Sequence, residues 1–84
     1  MRILCIGDSN TWGYNPGVGL RHEKRWTKLL GEWFLEDEII EEGLCGRTAI
    51  SMDFSEPERC GINSLKMILT THKPVDLVII MLGT

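Results

Sequence analysis

The chain has 84 residues, a formal net charge of −3 and an ordinary globular composition, 43% hydrophobic and 25% charged. That length allows one small domain whose single core is only marginally stable. Mild acidity, with neither a basic patch nor an aromatic-basic stripe, argues against a nucleic-acid or anionic-membrane partner, and no apolar run approaches the roughly 20 residues of a membrane span.

The first strand begins at Arg2 and leaves no room for a signal peptide, so the expected location is the cytoplasm. Cys5, Cys45 and Cys60 form an odd set without C-x-x-C spacing. Neither a disulfide framework nor a zinc site is expected, and no cofactor is called for. Cys5 lies inside a strand and reads as a small buried hydrophobe. Cys45 lies in a loop, with no neighbour in sequence that marks a reactive thiol.

Five elements follow in chain order, with no internal repeat or linker. Residues 2–6, RILCI, read as a short apolar strand. Residues 25–35, RWTKLLGEWFL, place Trp26, Leu29, Leu30, Trp33 and Phe34 on one stripe of an amphipathic helix. Gly31 inside it costs about 1 kcal/mol relative to Ala and suits close packing on a sheet. Residues 38–42, EIIEE, are a short strand flanked by glutamates. Residues 61–72, GINSLKMILTTH, form a second helix using Ile62, Leu65, Ile68 and Leu69, and Pro74 forbids its continuation. Residues 75–82, VDLVIIML, are an almost unbroken aliphatic strand.

Strand–helix–strand–helix–strand implies parallel strands with right-handed helical crossovers. The charged 38–42 strand suits an edge, and the apolar first and third suit strands covered on both faces. The expected fold is therefore α/β: a flavodoxin-like three-layer α/β/α arrangement with strand order 2-1-3, truncated after the third strand. In such sheets the ligand crevice lies beyond the carboxyl ends of the strands, where the chain reverses direction. Gly7-Asp8-Ser9-Asn10 falls there.

A serine at that point can donate its backbone N–H to an anion and use its hydroxyl as a nucleophile if a base removes the proton. Asp8, Ser9 and Asn10 are also good turn formers and N-caps, so the stretch alone leaves both readings open. Two further segments border the same crevice: residues 40–48, IEEGLCGRT, and residues 78–84, VIIMLGT. With GDSNTWGY, these three ordered blocks resemble the SGNH hydrolases, or GDSL-type esterases, in their arylesterase and acyltransferase branch. There the blocks read Gly-Asp-Ser-Leu-Thr-Trp-Gly, Glu-Glu-Gly-Leu-x-(Gly/Ala)-Arg-Thr and Leu-Gly-Thr-Asn-Asp. The absence of a G-x-S-x-G elbow argues against an ordinary α/β-hydrolase.

The resemblance implies that Ser9 is the nucleophile of a serine ester hydrolase or acyltransferase and also one oxyanion N–H donor. Gly46 is implied as a second donor, with Gly43 as the alternative. Asp8, Asn10 and Trp12 fall on the substrate side of the site: Asp8 orienting the loop, Asn10 where the family has leucine, and Trp12 as a pocket wall or an anchor for the loop. The implied partner is a small acyl ester. The family's third donor is an asparagine just past Thr84, and its base a histidine in an Asp-x-x-His segment that occurs nowhere here. His22 and His72 read as solvated or helix-capping.

The chain is therefore expected to be the N-terminal part, residues 1–84, of a longer single domain, because the apolar 75–82 strand lacks a neighbour and invites edge association, including homo-oligomers. Losing one oxyanion donor costs roughly 10²–10³ in rate and losing triad members leaves about 10³–10⁴ over water, so these residues alone should be nearly inactive. A competing reading from another class is a flavodoxin-like phosphate- or flavin-binding module, whose switch-point loop would cradle a phosphate with backbone N–H groups.

Overall fold

The structure is a computed structural model and describes residues 1–49 and 57–82; Gly83 and Thr84, which close the third block, lie outside the described residues. In chain order the elements are β1 (Arg2–Gly7), α1 (Ser9–Trp12), β2 (Tyr14–Asn15), β3 (Leu20–Arg21), α2 (Trp26–Trp33), β4 (Glu38–Gly43), a 3-10 turn (Pro57–Arg59), α3 (Gly61–His72) and β5 (Leu77–Met81). The three long strands form a parallel sheet in the order β4-β1-β5. This is the second-first-third order that the charge of one strand and the apolarity of the others imply. β2 and β3 pair antiparallel as a separate small hairpin.

Side chains alternate across a sheet, and residues in register share a face. Leu4, Ile6 and Ile40 therefore lie on one face, where Ile68 and Leu65 of α3 and Val75 pack against them. Ile3, Cys5, Ile39 and Glu41 lie on the other, where Gly31 of α2 approaches Ile39 and the Thr27 hydroxyl donates to Glu41 at 3.0 Å. The two long helices thus cover opposite faces, giving three layers. Leu4 and Cys5 are fully buried at the centre, the Leu4 side chain contributing about 1.5–3 kcal/mol. Burial, with Glu41 adding to it, pushes the Cys5 thiol up to about 11, which makes it inert.

Three elements depart from the sequence pattern: α2, the hairpin after α1 and β5. The expected apolar stripe of α2 is not its buried face: Trp33 is 83% exposed, Leu29 and Phe34 are also exposed, and Thr27 is buried instead. The cause is Glu41, whose carboxylate on the sheet draws the Thr27 hydroxyl inward, with Gly31 one turn later on the same side. The helix also ends at Trp33. The hairpin at Tyr14–Arg21 has no apolar alternation to announce it. On β5, Leu77, Val78, Ile80 and Met81 are all exposed.

Gly7 and Gly43 stand opposite each other at the carboxyl ends of β1 and β4. A Cβ on Gly7 would lie 1.9 Å from the Thr11 hydroxyl, and one on Gly43 would lie 2.3 Å from the Trp12 backbone nitrogen. At Gly7 the nearest obstacle is a side chain, with the Met81 carbonyl oxygen beyond it at 2.9 Å, whereas at Gly43 the nearest atoms are all backbone that cannot rotate away. At Gly31 the nearest atom to a Cβ is Ile39 Cγ1 at 3.5 Å, an ordinary contact. Gly43→Ala should therefore lower stability by about 1–3 kcal/mol through overpacking, while Gly31→Ala should be neutral or stabilise by up to about 1 kcal/mol. Urea midpoints of the two variants test this; equal shifts would contradict the close approach at Gly43.

Candidate active site

Helix α1 is a single turn, and its placement explains the local sequence. Asp8 is buried as its N-cap: its carboxylate accepts from the Asn10 N–H at 3.0 Å, and its carbonyl accepts from the Thr11 and Trp12 N–H groups. Gly13 ends the turn in the left-handed region at φ 89°, its N–H returning to the Ser9 carbonyl at 2.7 Å. Thr11 is fully buried over Gly7, and its hydroxyl accepts from the Trp26 indole N–H at 3.1 Å. The turn is thus bound to the sheet below and to α2 beside it.

Ser9 is the first residue of this turn and is half-buried. No described residue hydrogen-bonds to its N–H or its hydroxyl. Asn10 is exposed beside it, and Trp12, half-buried, closes the turn. The sequence-expected residues 8, 9, 10 and 12 therefore sit on one element at the carboxyl end of β1.

The loop after β4 meets the same rim. The Leu44 N–H donates to the Gly7 carbonyl at 3.2 Å, and the Arg47 N–H turns back to the Leu44 carbonyl at 3.0 Å. Gly46 stands inside that turn at φ 83°, a conformation that favours glycine. Its N–H has no partner among the described residues. Gly43 differs in two ways. The parallel ladder directs the N–H groups of residues 42 and 44 toward β1, so that of Gly43 points away from it. Its missing side chain is required by the backbone of α1.

Arg47 was not singled out by the sequence, yet it holds this loop in place. Its side chain is buried and donates to the carbonyls of Glu42 at 2.7 Å and Gly7 at 3.4 Å, the ends of both strands. Neither histidine joins Ser9. His22 is exposed at the hairpin, and His72 hydrogen-bonds Glu42 at 3.1 Å on the α3 face, opposite the one carrying α1. Cys45 is an exposed free thiol. Among the described residues no group of three or more His, Cys, Asp or Glu could hold a metal, and no helix is long and apolar enough to cross a membrane.

Comparison with solved structures decides the family. The chain is 40% identical to the carbohydrate acetylesterase family member from Sinorhizobium meliloti, with a TM-score of 0.89. It is 46% identical to the native aryl esterase of M. smegmatis, with a TM-score of 0.87. It is 42% identical to Est24, a carbohydrate acetylesterase from Sinorhizobium meliloti, with a TM-score of 0.88. The chain belongs to the SGNH hydrolase family. In all three comparisons 98% of this chain is covered, against 40%, 41% and 41% of the other chain, so it spans about two fifths of the length of these SGNH relatives. No protein-family model and no curated protein matches the sequence.

Behind α1 of this SGNH chain lies a cluster of charge. Glu41 accepts from Arg25 at 2.8 Å, from Thr27 at 3.0 Å and from Arg21 at 3.2 Å. Burial alone would raise its pKa, but the hydrogen bonds from Arg25 and Thr27 and the charges of both arginines outweigh it, holding the carboxyl below its ordinary value of 4.5. A depressed carboxylate stabilises the fold above the unfolded-state value and loses that contribution as pH falls through the folded one. Wild type should thus exceed Glu41→Gln in urea midpoint at neutral pH, with the gap narrowing as the pH drops below about 4.5. A gap that is constant with pH would contradict the ionised cluster.

Proposed function

We propose that these residues carry the nucleophile and two oxyanion donors of a serine ester hydrolase. The observation that carries this reading is the seating of α1 on Gly7 and Gly43, which leaves the Ser9 hydroxyl, the Ser9 N–H and the Gly46 N–H without partners among the described residues, on the loops after two adjacent strands. The Ser9 oxygen attacks the ester carbonyl, and the Ser9 and Gly46 N–H groups receive the charge that develops on the carbonyl oxygen. Collapse of the tetrahedral species expels the alcohol with a proton and leaves an acyl-Ser9 ester. Water or a second alcohol then takes the acyl group, giving hydrolysis or acyl transfer.

The base is a histidine with its aspartate partner from polypeptide outside these 84 residues, because His72 is engaged on the far face and His22 is exposed on the hairpin. The exposed aliphatic side chains of β5 support a further strand of the same domain there. Small acyl esters are the substrate class, in keeping with the acetylesterase and aryl esterase names of the relatives. Trp12 forms a wall of the pocket, Asn10 stands beside the nucleophile where the family pattern has leucine, and Asp8 aims the turn. Three free cysteines, Cys5, Cys45 and Cys60, support a cytoplasmic location.

A fluorophosphonate probe applied to the complete polypeptide bearing this segment should label Ser9 stoichiometrically, and Ser9→Ala should remove the label and lower esterase kcat by at least about 10³. Labelling that survives Ser9→Ala would overturn this reading.

A further inference from the structure

The hairpin that follows α1 folds back so that Arg21, nine residues on, meets Trp12 twice. Its Nε donates to the Trp12 carbonyl at 2.5 Å, satisfying a carbonyl that a one-turn helix leaves open. Its guanidinium carbon stands 5.2 Å from the centroid of the Trp12 indole, within cation–π range. A third contact fixes the arginine itself, from Nη2 to the Glu41 carboxylate at 3.2 Å. Glu41 in turn is held on the sheet by Arg25 and Thr27.

The hairpin is otherwise held through its backbone: the His22 N–H donates to the Gly13 carbonyl at 2.5 Å, Arg25 donates to the His22 carbonyl at 2.9 Å, and Asn15 closes the turn. Its ladder is two residue pairs long, Tyr14 with Arg21 and Asn15 with Leu20, and Leu20 and Val18 are exposed. One further contact reaches the site, the Tyr14 ring, whose centroid is 6.5 Å from that of Trp12. Without the guanidinium, the indole would keep the backbone of α1 beneath it but lose the group that covers one of its faces.

We infer that Arg21 is a positioning residue that sets substrate size preference by clamping the Trp12 indole and carbonyl against the Glu41-anchored sheet. This rests on the reading of Ser9 as nucleophile and Trp12 as pocket wall, and goes beyond it by assigning the orientation of that wall to a residue remote in sequence. A planar guanidinium is required. A lysine would keep the charge facing Glu41, but its single ammonium could not stand over the ring while also donating to the Trp12 carbonyl and to Glu41.

The test uses the complete polypeptide labelled with 5-fluorotryptophan, the Trp12 resonance being assigned by its loss in Trp12→Phe. Arg21→Met should shift or broaden the Trp12 signal and leave that of Trp33, far from the clamp and exposed, in place. The KM for phenyl acetate should rise about threefold to tenfold, the range that losing one cation–π contact and one hydrogen bond implies. The kcat/KM for methyl acetate, which has no aryl group to rest on the indole, should fall by less. Arg21→Lys should recover only part of the KM, and it serves as the control if Arg21→Met perturbs the fold. An unmoved Trp12 signal, or equal losses on both esters, would overturn the inference. If Trp12 moves in Arg21→Met while Ser9→Ala keeps full esterase activity, the clamp stands and the catalytic reading of Ser9 falls. If Ser9→Ala is inactive while Arg21→Met leaves Trp12 and both esters unaffected, only the clamp falls.

Discussion

Two glycines facing each other across adjacent parallel strands control this structure. Gly7 and Gly43 end β1 and β4 in register, and the absent side chains leave a shallow floor on one face of the sheet. A one-turn helix has too few internal hydrogen bonds to persist alone. It persists here because Thr11 and the Trp12 backbone drop onto that floor, with Asp8 capping one end and Gly13 closing the other. Ser9 is consequently presented at the rim rather than in the sheet. The same two strand ends carry the carbonyls that Arg47 holds, so the turn containing Gly46 is tied to the strand that delivers Ser9.

The face of the sheet under α1 and α2 is polar where a small α/β domain would ordinarily be apolar. Glu41 points into the layer between sheet and α2, and its cost of burial is offset by two arginines and a threonine hydroxyl. The cluster links three segments, the hairpin, the start of α2 and β4. Polar anchoring in this layer fits a chain whose buried apolar set among the described residues is confined to Ile3, Leu4, Cys5, Ile6, Cys60 and Ile68. Removing one partner would leave charge stranded there, so the cluster specifies the placement of the hairpin more than it adds stability.

The long elements were legible in the sequence because each follows from a local rule. The helix at Gly61–His72 ends where Pro74 requires, and the order of the strands follows from which of them carries glutamates. What sequence periodicity missed depends on contacts between distant residues. The stripe of α2 was misplaced because counting apolar positions cannot register the demand of Glu41 for the Thr27 hydroxyl. The hairpin has no apolar alternation: Asn15, Pro16, Gly17 and Gly19 announce a turn, whereas the contacts of Arg21 with Trp12 and Glu41 follow no local pattern. At the site, Ser9 and Gly46 were readable as loop residues after strands. The separate task of Gly43, making room for the backbone of α1, needed coordinates. Arg47 likewise carries no local sequence signal for its two carbonyl partners, which end different strands.

The most direct measurement is a crystal structure of the complete polypeptide after reaction with an organophosphonate. The expected adduct has phosphorus bonded to the Ser9 oxygen and its phosphonyl oxygen about 3 Å from both the Ser9 and Gly46 nitrogens. An adduct on another residue, or a phosphonyl oxygen turned away from Gly46, would contradict the claim that paired glycines bring these two loops together as one site.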